Sequence, residues 1–245
     1  MSGRDPRDLL VPTAHGDLPA YLAVPAAATA GQPVPGVVVV HEAFGLNDDI
    51  RAHADRLAAH GLLALAPDLL AWGSMVTCLR QIVREIGRGQ GRAFDEVDAC
   101  RDWLAGRDDC SGSVGVLGFC MGGGVALAVA PGHGFEAAVA NYGQVRKDVG
   151  ERMSGACPLL ANFGDRDFVT KGGIPRLRAA LEAEGVEHRI DVYPGAGHSF
   201  LSATPPGPKG WPSKIMGFGY HEESATQAWE QILGWFDEHL AAAPQ

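Results

Sequence analysis

A cysteine stands between two glycines at Gly118-Phe119-Cys120-Met121-Gly122, straight after the apolar run Val114 to Leu117 and before the small-residue stretch Gly122 to Ala130. Gly-x-Cys-x-Gly between a strand and a helix describes a sharp turn that thrusts one nucleophilic side chain outward. Residues without bulk two positions before and two after the sulfur are required, because strand and helix would otherwise collide. The unpaired N–H groups and positive end of the following helix favour thiolate over thiol. The remaining cysteines, Cys78, Cys100, Cys110 and Cys157, have no such frame and read as small buried residues.

A nucleophilic thiol needs a base and a group that orients the base. Gly164-Asp165-Arg166-Asp167 follows the apolar run Leu159 to Phe163, and Gly195-Ala196-Gly197-His198 follows Arg189 to Tyr193. Both therefore leave the C-terminal end of a strand, where open α/β sheets place their sites. His198, on a loop loosened by two glycines, is the expected base. Asp165 and Asp167 both fit the orienting role by spacing. Most of the other histidines read as surface residues, with His41 in a separate position because it ends the valine run Val37 to Val40 beside Glu42. A carboxylate in that place must find a partner or neutralise, and Arg51 and Arg56 are the ordinary partners.

The elements that must hold these residues alternate along the chain. Leu9 to Thr13 and Leu18 to Val24 flank a turn at His15-Gly16-Asp17 and predict an N-terminal antiparallel hairpin. Val37 to Val40, Leu62 to Ala66, Val114 to Leu117, Ala137 to Asn141, Leu159 to Phe163 and Arg189 to Tyr193 read as buried strands. Helices are expected over Asp49 to His60, Phe94 to Leu104, Gly122 to Ala130, Ile174 to Glu184 and Glu223 to Leu240. Trp72 to Gly91, with four glycines, reads as a short, partly helical excursion, and the proline-rich Ser202 to Gly219 as a loop at the rim of a site. The expected class is one α/β domain over 1–245, a mostly parallel central sheet with helices on both faces.

The 245 residues, 46% hydrophobic and 20% charged, suffice for a full core. A formal charge of -9 disfavours nucleic acid and anionic lipid as partners. The longest apolar stretch, Gly61 to Gly73, is interrupted by Pro67 and Asp68 and falls short of a membrane span. The charged N-terminus lacks a signal-peptide core, and five cysteines without C-x-x-C spacing indicate free thiols, so a cytoplasmic location is expected. No motif calls for a cofactor or a metal, and a monomer or homodimer is expected.

Together, His41-Glu42-Ala43-Phe44-Gly45, Pro67-Asp68-Leu69, the cysteine turn, Gly164-Asp165-Arg166-Asp167-Phe168-Val169 and Gly197-His198-Ser199-Phe200 resemble the dienelactone hydrolase family over nearly the whole chain. The resemblance implies an α/β-hydrolase fold and a Cys-His-Asp triad of Cys120, His198 and Asp167. It also implies a glutamate, Glu42, paired with the resting thiol, and an oxyanion hole from the backbone N–H groups of Met121 and Ala43. The implied activity is hydrolysis of a small ester or lactone. The family's two carboxylate-binding arginines are replaced by Trp72 and Ser202, which argues against dienelactone itself unless Arg80 or Lys209 reaches the site. Phe44, Trp72, Phe200 and Trp211 are the candidate substrate-contacting residues. A rival reading keeps the fold and makes the thiol a redox sensor or reversible trap.

Overall fold

The computed structural model describes residues 5–29, 31–170, 172–203 and 219–240. These fall into two compact units: the described residues up to Gly115 together with Leu240, and Val116–His239.

The first unit begins with β1 (Asp8–Thr13) and β2 (Gly16–Ala23), an antiparallel hairpin in which Val11 faces Leu18. The next strand, β3 (Val34–Val40), ends in four valines with no exposed surface, as a strand covered on both sides requires. Helix α1 (Asp48–His60) starts where Asn47 accepts a hydrogen bond from the Ile50 N–H and stops at Gly61, whose φ of 110° suits only glycine. The chain returns as β4 (Leu63–Pro67), parallel to β3 and antiparallel to β2.

Trp72 to Gly91 is more regular than the short, partly helical excursion expected. It holds a regular helix, α2 (Met75–Arg88), capped by Ser74 and closed by Gly89 in the left-handed conformation. Of the four glycines only Gly87 lies inside a helix; Gly89 and Gly91 punctuate the passage to α3 (Arg92–Ala105). The inward residues Cys78, Ile82 and Glu85 keep helical spacing, a signal the glycine count obscured.

β5 (Cys110–Phe119) starts in the first unit and ends in the second, longer than the apolar core Val114 to Leu117 alone suggests. The second unit continues with α4 (Met121–Val129), β6 (Ala137–Asn141), β7 (Leu159–Gly164), α5 (Ile174–Ala183), β8 (His188–Tyr193) and α6 (Glu222–His239). β6, β7 and β8 are parallel neighbours, and the strand order is β1-β2-β4-β3-β5-β6-β7-β8. α4 approaches β6 closely because Gly123 has no Cβ: one placed there would sit 2.6 Å from the Asn141 carbonyl oxygen. No helix among the described residues is long and apolar enough to cross a membrane.

Candidate active site

Cys120 occupies the N-cap of α4 at φ 52°, ψ -110°, a backbone state that non-glycine residues rarely adopt. Two backbone bonds hold it there: its N–H donates to the Asn141 carbonyl (3.0 Å), and its own carbonyl accepts from the Gly124 N–H (3.1 Å). At Gly118 a Cβ would collide with the Gly122 carbonyl, so the glycine before the sulfur is a steric requirement. Met121 is the first residue of α4, and its N–H belongs to the turn that has no intrahelical acceptor.

The loops after β7 and β8 bring the other two groups to the sulfur. His198 Nε2 lies 3.1 Å from Cys120 Sγ, and His198 Nδ1 lies 2.8 Å from Asp167 Oδ2. His198 is 4 % exposed and Asp167 1 %. The second Asp167 oxygen accepts the Val169 N–H at 2.8 Å, which fixes the carboxylate plane. Asp165 takes a different part. Its Oδ1 accepts the Gly195 N–H at 2.8 Å, and its N–H donates to the Tyr193 carbonyl, so it ties the histidine loop to the aspartate loop. The two carboxylates left open by spacing are thus separated by geometry.

The charges of the pair reinforce each other. Burial opposes a charged imidazole at His198, but the hydrogen bonds to Asp167 and Cys120 and their negative charges outweigh it and raise its pKa to about 10. Burial likewise works against the Asp167 carboxylate, and the His198 hydrogen bond overcomes it, so the carboxyl lies below its ordinary range.

Beneath these groups runs a chain of buried amides that sequence reasoning missed. Asn141 Nδ2 donates to the Gly118 carbonyl (3.2 Å), Asn162 Nδ2 to Asn141 Oδ1 (2.8 Å), and the Tyr193 hydroxyl to Asn162 Oδ1 (3.3 Å). It links the ends of β5, β6, β7 and β8. Tyr142, at φ 41°, meets the His198 ring in a T-shaped contact, with centroids 5.3 Å apart. The only sequence signal was an asparagine in each of two otherwise apolar strands.

The other expected residues differ in burial and packing. Phe200, an expected substrate contact, has no exposed surface, and its ring packs on those of Tyr142 and Tyr193. Trp72, in the first unit, lays its indole against Gly16 and under the Arg92 guanidinium, which is ordinary packing. Phe44, also in the first unit, is exposed at 46 %, and Glu42 is buried. Ser202 is buried with its hydroxyl 3.3 Å from that of Tyr142. Trp211 and Lys209 lie outside the described residues, as does most of the Ser202 to Gly219 segment. His41 is a structural pin: its Nδ1–H donates to the Glu42 carbonyl (2.6 Å) and its Nε2 accepts from the Leu69 N–H (3.0 Å). Full burial lowers its pKa, consistent with the neutral ring these two bonds demand.

The model of the dienelactone hydrolase family matches residues 18–240. The chain belongs to that family. A Yersinia pestis protein named "Putative carboxymethylenebutenolidase" is 30% identical over 254 residues, covering 95% of this hydrolase and 88% of the relative. A Salmonella typhimurium protein of the same name is 31% identical, covering 94% and 86%. Among solved structures, a dienelactone hydrolase so assigned from Klebsiella pneumoniae superposes with a TM-score of 0.76 at 28% identity, covering 94% of this chain and 97% of that one. A dienelactone hydrolase-like promiscuous phosphotriesterase from metagenomic libraries reaches 0.78 at 22% identity, a likeness of fold alone. The fold is that of the α/β hydrolases, and the enzyme is a hydrolase of the ester and lactone class.

Proposed function

We propose that the enzyme hydrolyses a small ester or lactone by covalent catalysis, with Cys120 as nucleophile, His198 as acid and base, and Asp167 orienting His198. The observation that carries this reading is the continuous line Cys120 Sγ, His198, Asp167, with separations of 3.1 and 2.8 Å. The thiolate attacks the substrate carbonyl, and the tetrahedral oxyanion forms beside the Met121 N–H at the positive end of α4. Collapse expels the alkoxide, which takes its proton from His198 and leaves a thioester on Cys120. Neutral His198 then removes a proton from water, hydroxide attacks the thioester, and the acid departs as the thiolate and imidazolium are restored. A second oxyanion donor at Ala43 and a role for Glu42 as partner of the resting thiol rest on the family resemblance.

The substrate class follows from what replaces the two arginines. Trp72 is packed and Ser202 is buried, so neither presents a planar cation to a carboxylate. An uncharged ester or lactone suits this site better than dienelactone. The test is hydrolysis of p-nitrophenyl acetate by wild type and by Cys120→Ala, with circular dichroism to verify folding. The reading expects turnover in the wild type and a loss on the order of 10³-fold or more in the variant; equal rates in the two proteins would overturn it.

A further inference from the structure

At the far end of α6 three metal-capable side chains converge without serving the triad. Glu238 and His239 are the last two residues of the helix, and Glu187 immediately precedes β8. One donor atom from each lies within 4.8 Å of the others. The two carboxylates are exposed and by themselves would mean little. The imidazole is the informative member. Its side chain is only 9% exposed, and Nε2 is shut off from solvent with no hydrogen-bond partner among the described residues, 3.9 Å from Glu187 Oε1. Trp235 covers the ring on another side, centroids 4.1 Å apart, which fixes the imidazole in place. A buried nitrogen with an unused lone pair or proton is costly unless something binds it.

We propose that Glu187, Glu238 and His239 form a binding site for a divalent transition-metal cation, zinc by the character of its donors. One imidazole nitrogen and two carboxylate oxygens are three ligands of a tetrahedral zinc, with water in the fourth position. Zinc bond lengths imply about 3.4 Å between neighbouring ligand atoms in such a tetrahedron, so separations in the present cluster must contract by up to about 1.4 Å. Two exposed glutamates achieve that by rotamer changes while the packed histidine stays still. The backbone needs no movement: the Glu187 carbonyl is already held by the Leu159 N–H at 2.9 Å. The negative end of the α6 dipole adds a favourable field for a cation. Magnesium, which prefers oxygen ligands and an octahedral shell, fits the donor set poorly. The bound ion would cross-link the last turn of α6 to the entrance of β8 and act on stability rather than on chemistry.

The experiment uses the full-length, untagged chain carrying Cys120→Ala, which removes the reactive thiol as a competing ligand. Calorimetric titration with zinc chloride is expected to give one ion per chain. Zinc at about 100-fold excess over its Kd is expected to raise the melting temperature by about 5 °C or more, with no response to magnesium. On the same background, His239→Gln and the double variant Glu187→Gln/Glu238→Gln are each expected to lose affinity by about ten-fold or more. The double variant alters only exposed side chains, so it decides the matter if His239→Gln fails to fold. No shift at millimolar zinc, or an equal shift in parent and double variant, would overturn the proposal.

Discussion

The proton on His198 sets the pH range of this site. Raised to about 10 from an ordinary 6.5, the imidazole favours folding fully below pH 6.5, and that contribution disappears as pH climbs through 10. Asp167 acts in the opposite sense: its depressed pKa contributes above the ordinary carboxylate range and is lost as pH falls through the lowered value. The alkaline limb of kcat/KM is therefore expected near pH 10, where His198 gives up its proton. Asp167→Asn removes the strongest of the interactions that raise His198. It is expected to move that limb to lower pH and to reduce kcat on the order of 10²- to 10⁴-fold, while circular dichroism is unchanged. A pH-rate profile whose alkaline limb does not move in the variant would show that Asp167 does not govern the imidazole.

At the scale of elements, a chain of hydrogen bonds through Asn141, Asn162 and Tyr193 ties the ends of β5 to β8, and α4 rests on β6 through glycine. Gly123→Ala places a methyl group against the Asn141 carbonyl and Gly143, neither of which is a flexible side-chain end. It is expected to destabilise the fold by roughly 1–3 kcal/mol, read as a lower denaturation midpoint in urea. The sequence disclosed the strand, turn and helix around Cys120 because glycine spacing, valine runs and helix stops are local signals. The choice between Asp165 and Asp167 was not local, since both reach the loop about thirty residues on and only the fold decides which meets the His198 ring and which the Gly195 N–H. Asn141, Asn162 and Tyr193 were silent for the same reason: each makes sense only beside the next strand. α2 was obscured by composition: Gly89 and Gly91 punctuate its end and the start of α3, and Gly87 alone is carried within its last turn.

For the whole molecule, a net charge of -9 acts on any charged substrate before it reaches the thiol. An ester bearing a carboxylate approaches against this field, and salt screens the repulsion over about 10 Å at 0.1 M. Raising ionic strength from 10 to 200 mM is expected to increase kcat/KM for an anionic ester by about two-fold or more and to leave p-nitrophenyl acetate unaffected. Stopped-flow or steady-state assays of the two esters in matched buffers check this directly. An identical salt response for both would place the limitation in the pocket instead.

The five thiols are unequal in a way that makes the enzyme countable. Cys78, Cys100 and Cys110 are buried, and burial pushes the Cys157 thiol up to about 12, while Cys120 is partly open beside an imidazolium. At pH 7 an iodoacetamide probe in modest excess is expected to add one carboxamidomethyl group per folded chain, seen as a single mass increment that Cys120→Ala abolishes. Moles of label would then equal moles of competent enzyme. Any preparation could then be standardised by active-site titration, whatever ester is used to assay it.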